Sequence, residues 1–116
     1  MDETHVDRNA LSALQEVMEE SYPDLLDIFL ADSEERLEVL RAAGSGDLLV
    51  ETAHSFKGSS SNMGAVRLTE LCHQLEQQAR TLPVNDIQEL VREIDREFAS
   101  VRPLYEAERQ RCPAKI

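Results

Sequence analysis

Asp47-Leu48-Leu49-Val50-Glu51-Thr52-Ala53-His54-Ser55-Phe56-Lys57-Gly58-Ser59-Ser60-Ser61-Asn62-Met63 has the spacing of a helix with one buried side. At about 100° per residue, Leu49, Ala53, Phe56 and Ser60 fall together and must face a core. His54 then points roughly 150° from the centre of that side. Lys57 lies about 90° away and Ser61 about 130° away, both on the flank of His54. An exposed histidine with a lysine one turn on is therefore expected. Gly58 is out of place by propensity, since glycine inside a helix costs ~1 kcal/mol relative to alanine. Three serines after it are also weak helix formers. A need for close approach explains both: Gly58 clears space beside the imidazole, and Ser59 and Ser60 permit tight helix contact.

The rest of the chain reads as helices around this one. A short first helix starts near Asp7 or Asn9, either of which can cap it, with Leu11, Leu14, Val17 and Met18 as its apolar positions. Pro23 suits the first turn of a second helix, which carries Leu25, Leu26, Ile28, Phe29, Leu37 and Leu40 to near Ala43. Gly44-Ser45-Gly46 is a turn, Asp47 is the expected N-cap of the third helix, and Gly64 ends it in a left-handed conformation. A fourth helix spans roughly Ala65 to Thr81, with Leu68, Leu71, Cys72, Leu75 and Ala79 as its stripe. The last begins near Asn85 or Asp86 and buries Ile87, Leu90, Val91, Ile94, Phe98 and Val101. Pro103 should end or kink it, leaving a frayed polar tail over about 106–116. No segment alternates with period two. The expected fold is all-α: an antiparallel up-down four-helix bundle with an additional short N-terminal helix, one domain over 1–116 with its core at about 9–102.

The totals agree. Hydrophobic residues make up 41% and charged residues 30% of 116, a globular composition. The net charge of −11 excludes a general nucleic-acid or anionic-membrane binder, because both need cations to meet phosphates. A protein partner with a basic rim remains compatible. Cys72 and Cys112 form no disulfide framework, so a reduced cytoplasmic setting is expected. The acidic Met1-Asp2-Glu3-Thr4-His5 start has no apolar run for a signal peptide.

The run Ala53-His54-Ser55-Phe56-Lys57-Gly58-Ser59-Ser60-Ser61-Asn62-Met63-Gly64-Ala65, followed by Leu68, Leu71, Cys72, Leu75 and Glu76, resembles the signature of histidine-containing phosphotransfer (HPt) domains, in particular the stand-alone bacterial, HptB-type members. The resemblance implies a phosphorelay intermediate. His54 would accept a phosphoryl group from a receiver-domain aspartate of a hybrid sensor kinase. It would then pass the group to the receiver domain of a response regulator. Lys57 would sit by the phosphoryl oxygens, Gly58 would give steric clearance, and Glu76 would orient the histidine. Val50, Lys57 and Ser61 would meet the partner. The chain would be a monomeric carrier without kinase activity and without a cofactor or metal of its own, the magnesium being supplied by the receiver.

Other readings fare worse against the residues. Glu51-x-x-His54 and Glu70-x-x-His73 mimic the paired motif of di-iron bundles, but both pairs should point outward, where no buried metal can be shared. Cys72-His73 fails as a metal pair because adjacent helical residues point apart. A histidine-kinase dimerisation helix would carry an acid where Ser55 stands, and no Gly-rich nucleotide site is visible. A helical adaptor that binds receiver domains without being phosphorylated stays open as the alternative.

Overall fold

The computed structural model describes residues 5–43 and 45–112. The expected residues Met1–Thr4, Gly44 of the first turn and the end of the tail, 113–116, lie outside the described ones. The elements are α1 (Arg8–Met18), one 3-10 turn (Glu19–Ser21), α2 (Tyr22–Ala42), α3 (Gly46–Asn62), α4 (Val66–Gln78) and α5 (Val84–Arg111). Among the described residues there is no strand. Consecutive helices α2 to α5 pack side by side, and α5 closes back on α2, which makes the four-helix bundle. Its core is continuous: Leu26, Phe29, Leu37, Ala53, Phe56, Leu68, Leu75, Ile94 and Val101 are all buried.

Helix starts follow side-chain chemistry. Asp7 caps α1 by accepting from the backbone N–H of Asn9 at 3.0 Å and of Ala10 at 3.3 Å. The cap of α3 is Ser45 and not Asp47: the Ser45 hydroxyl accepts from Leu48 N–H at 3.2 Å. Ser45 has the extended backbone an N-cap needs, and Asp47, already in the first turn, pairs with Arg80 at 2.7 Å. Helix α4 stops at Gln78, three residues short of the expected Thr81.

The expectation for the C-terminal region is corrected. Pro103 does not end α5, which runs on to Arg111. Proline removes the hydrogen bond to the carbonyl four residues back and crowds that carbonyl with its ring. Ala99 and Pro103 both lie on the exposed side, so water can serve that carbonyl. The buried stripe meanwhile continues past the proline through Val101, Tyr105, Glu108 and Cys112. Cys112 is therefore a buried residue and not part of a polar tail. The extension is anchored across the bundle by Arg109 on Asp27 at 3.0 Å, Arg111 on Gln15 at 3.1 Å and an Arg102–Glu34 ion pair. Burial also starts earlier than expected, at Val6. Val17 and Ile28, expected on apolar faces, are exposed, because α1 touches the bundle along a narrow line and Ile28 lies off the contact side of α2.

Near the α3–α4 turn, polar groups are locked in place. Gly64 has φ +73, and a Cβ there would stand 3.0 Å from the Asp7 carbonyl and 3.1 Å from Ala10 Cβ. Asp7 N–H donates to Gly64 O at 2.7 Å, Val66 N–H to His5 O at 3.0 Å, and the Tyr105 hydroxyl to Met63 O at 2.6 Å. The end of the same helix set holds Glu108, buried and hydrogen-bonded by Tyr22 at 2.7 Å and Arg111 at 2.7 Å.

Candidate functional site

Helix α3 presents His54 outward, with its side chain 69% exposed. The serines behind it let the helix sit close to its neighbour. Ser60 is fully buried and donates to Phe56 O at 2.8 Å, while Thr69 of α4 donates to Ser60 Oγ at 3.0 Å. This contact and the Gly64 turn set the register between α3 and α4. That register brings Glu76 of α4 beside His54.

Glu76 bridges the two charged or titratable groups of α3. Its Oε2 lies 2.7 Å from His54 Nδ1, and its Oε1 lies 2.6 Å from Lys57 Nζ. An ionised carboxylate only accepts, so Nδ1 carries the ring proton at this contact. That tautomer leaves the lone pair on Nε2, which faces away from Glu76. The Lys57 ammonium first, and the His54 ring after it, hold the Glu76 carboxyl below the ordinary carboxylate range, against partial burial that acts the other way. Lys57 is thus half-buried and engaged with Glu76. It also lies 3.5 Å from His73 Nδ1.

Gly58, four residues after His54, is exposed, and a Cβ built there would meet nothing within 4 Å. Packing within the chain therefore does not require glycine here. Ser61 is exposed one turn further on, and Val50, half-buried, lies one turn before His54. Together His54, Gly58, Ser61 and the flanking Val50 and Lys57 form one outward face.

Two neighbours of this face have no place in it on the sequence alone, where His73 enters only as a rejected metal ligand and Arg36 not at all. His73 comes from α4. Arg36 comes from α2, and its guanidinium reaches Ser55 Oγ at 3.2 Å and Ser59 Oγ at 3.4 Å. Their proximity depends on how helices pack, and no local pattern in the chain announces it. Cys72 is buried beneath the site, where burial pushes its thiol up to about 12, so it is inert there. Glu51, Glu70 and His73 are exposed on two different helices. Among the described residues no group of three or more His, Cys, Asp or Glu side chains could hold a metal ion.

The model of the Hpt domain family matches residues 24–102, well over half the chain. The chain belongs to the Hpt domain family. Among solved structures it is similar to histidine-containing phosphotransfer protein B (HptB) from Pseudomonas aeruginosa PAO1, with 52% sequence identity and a TM-score of 0.89 over 94% of this chain and 97% of that one. No match is found among curated protein sequences. The Hpt family match begins after α1 and ends within α5, ahead of Tyr105. The terminal segments that tie down the α3–α4 turn thus lie outside the matched region.

Proposed function

We propose that this Hpt protein is a phosphorelay intermediate in two-component signalling and that His54 is the residue that carries the phosphoryl group. The observation that carries this reading is the His54–Glu76 contact: Nδ1 is occupied at 2.7 Å, and Nε2 is left on an exposed face beside the open space of Gly58. The donor is a receiver-domain aspartyl phosphate of a hybrid sensor kinase, and the acceptor is the receiver domain of a response regulator.

In the transfer, the Nε2 lone pair attacks phosphorus, the N–P bond forms, and the P–O bond to the aspartate breaks. The leaving group is the receiver's carboxylate. The ring keeps its Nδ1 proton and becomes cationic, and Glu76 stabilises that charge. Return transfer to a second aspartate reverses each step and restores the neutral ring. Phosphoryl transfer relies on positioning and charge neutralisation more than on covalent help from side chains. Lys57 supplies a cation one turn from His54, shared between Glu76 and the incoming phosphoryl oxygens. Magnesium acts on the receiver side. The chain itself acts as a carrier and not as a kinase, in the cytoplasm. Among the described residues no helix is long and apolar enough to cross a membrane.

The test is intact-mass measurement after incubation with phosphorylated receiver domains. Wild type gains one phosphoryl increment and His54→Gln gains none. A persistent increment in the folded variant would overturn the assignment. No increment in wild type with any receiver would favour a helical adaptor.

A further inference from the structure

We propose that Arg36 is a docking contact of this protein, taking a carboxylate on the surface of the receiver domain that approaches His54. The inference rests on the phosphocarrier reading above and adds to it a residue that selects the partner.

The chain is rich in acids, and other cations of the bundle end on carboxylates: Lys57 on Glu76 at the site itself, and elsewhere Arg41 on Asp95 and Arg80 on Asp47. Arg36 does not. Among the described residues it forms no ion pair and ends on two neutral hydroxyls, Ser55 Oγ at 3.2 Å and Ser59 Oγ at 3.4 Å. The Ser59 hydroxyl proton is already given to Phe56 O at 3.2 Å, so that serine offers Arg36 a lone pair. A guanidinium has five N–H donors, and these contacts use only part of them. The cation is held in place, but no salt bridge must break for it to take a new anion. An incoming carboxylate therefore gains its pairing without a competing desolvated pair.

Its position fits docking rather than chemistry at phosphorus. With His54 as the origin of the α3 wheel, Lys57 lies about 60° to one side, Gly58 about 40° to the other, and Ser55 and Ser59 about 100° and 140° on the Gly58 side. A partner that uses the clearance over Gly58 meets Arg36 next. The phosphoryl group already has Lys57 on its own flank. The net charge of −11 disfavours acidic partners at long range, so an oriented cation beside the acceptor gives a local reason for a receiver to dock in this pose.

The experiment measures single-turnover transfer to His54 from a purified phosphorylated receiver domain, over a range of receiver concentrations and at two salt concentrations. Arg36→Gln should raise the half-saturating concentration about fivefold, the size of one exposed ion pair. Arg36→Glu should raise it further, and Arg36→Lys should stay near wild type. The rate at saturation should be unchanged, and the salt dependence of Arg36→Gln should be shallower. Partner-free labelling with phosphoramidate, in which the donor P–N bond breaks, the Nε2–P bond forms and ammonia leaves, should not change. Arg36→Glu with wild-type half-saturation at low salt would overturn the docking contact. So would a changed saturating rate or changed phosphoramidate labelling, since either would place Arg36 in the chemistry or in the fold. If neither donor labels His54 in wild type, the phosphocarrier reading fails, and this inference with it. If wild type is labelled and Arg36→Glu matches it throughout, only the docking contact fails.

Discussion

Glu76 carries the sharpest quantitative consequence of the site. Replacing it with alanine removes both the hydrogen bond to His54 Nδ1 and the negative charge beside the ring. A hydrogen bond to a charged group contributes about 1.5–3 kcal/mol when its partners are shielded. Here the carboxylate is mostly covered, at 16% side-chain exposure, while the imidazole is 69% exposed. Solvent screening therefore brings the value to the lower end. Taking about 1.4 kcal/mol, Glu76→Ala should slow single-turnover transfer to His54 about tenfold. Glu76→Gln keeps an acceptor for Nδ1 and loses only the charge, so it should fall between, at about threefold. Removing Glu76 also frees Lys57, whose ammonium stands 2.6 Å from Oε1. The same comparison made in a Lys57→Ala background separates the two routes. If Glu76 acts through the ring, its effect persists there. The assay is rapid-quench transfer from a phosphorylated receiver domain, with circular dichroism to confirm folding. Wild-type rates in folded Glu76→Ala, or disappearance of the effect without Lys57, would refute the argument.

Further outcomes follow from packing. Phe56→Ala should cost ~3–5 kcal/mol in urea melts, because the ring is fully buried, whereas His54→Gln should stay within about 0.5 kcal/mol. The reverse ranking would mean that α3 is turned the other way. Gly58→Ala should stabilise the fold by up to ~1 kcal/mol yet slow receiver-driven transfer, while Gly64→Ala should destabilise it by ~2 kcal/mol through its left-handed backbone and the Asp7 contact. Equal stability changes at the two glycines would defeat this distinction. Glu108 is held below the ordinary carboxylate range, first by Arg111 and then by Tyr22, against burial. Its contribution is thus full above its unfolded value of 4.5 and is lost as pH falls through the lower folded value. The stability gap between wild type and Glu108→Gln should be widest near neutrality and close below about pH 4.5, and a gap constant down to pH 3 would contradict it.

Much of the fold was legible because local periodicity reports which side of a helix is buried. Leu49, Ala53, Phe56 and Ser60 were placed inward and His54 outward from spacing alone, and burial agrees. The proline at 103 misled for a physical reason. A local rule about one lost hydrogen bond competed with a stripe that continues at three- and four-residue spacing through Val101, Tyr105, Glu108 and Cys112, and the stripe prevailed. Val17 misled in the opposite direction, since apolar character at a helical spacing does not say how much of that face a neighbour covers. Contacts across helices were the least legible. Glu76 could be named from the family signature, but its bridge to both His54 and Lys57, and the reach of Arg36 to Ser55 and Ser59, depend on interhelical register.

That register has an identifiable source. The turn between α3 and α4 is only Met63, Gly64 and Ala65, and a shift of one residue there would rotate Glu76 away from His54 by about 100°. Two residues of the turn and the first residue of α4 are tied from outside the two helices: Gly64 O by Asp7, Met63 O by the Tyr105 hydroxyl, and Val66 N–H by His5 O. His5 is itself held at 2.7 Å from Glu97 of α5. The segments before α2 and beyond Pro103 therefore do more than lengthen the bundle. By clamping the turn they set how α4 lies against α3, and so they hold the carboxylate at the imidazole from more than twenty residues away in either direction along the chain.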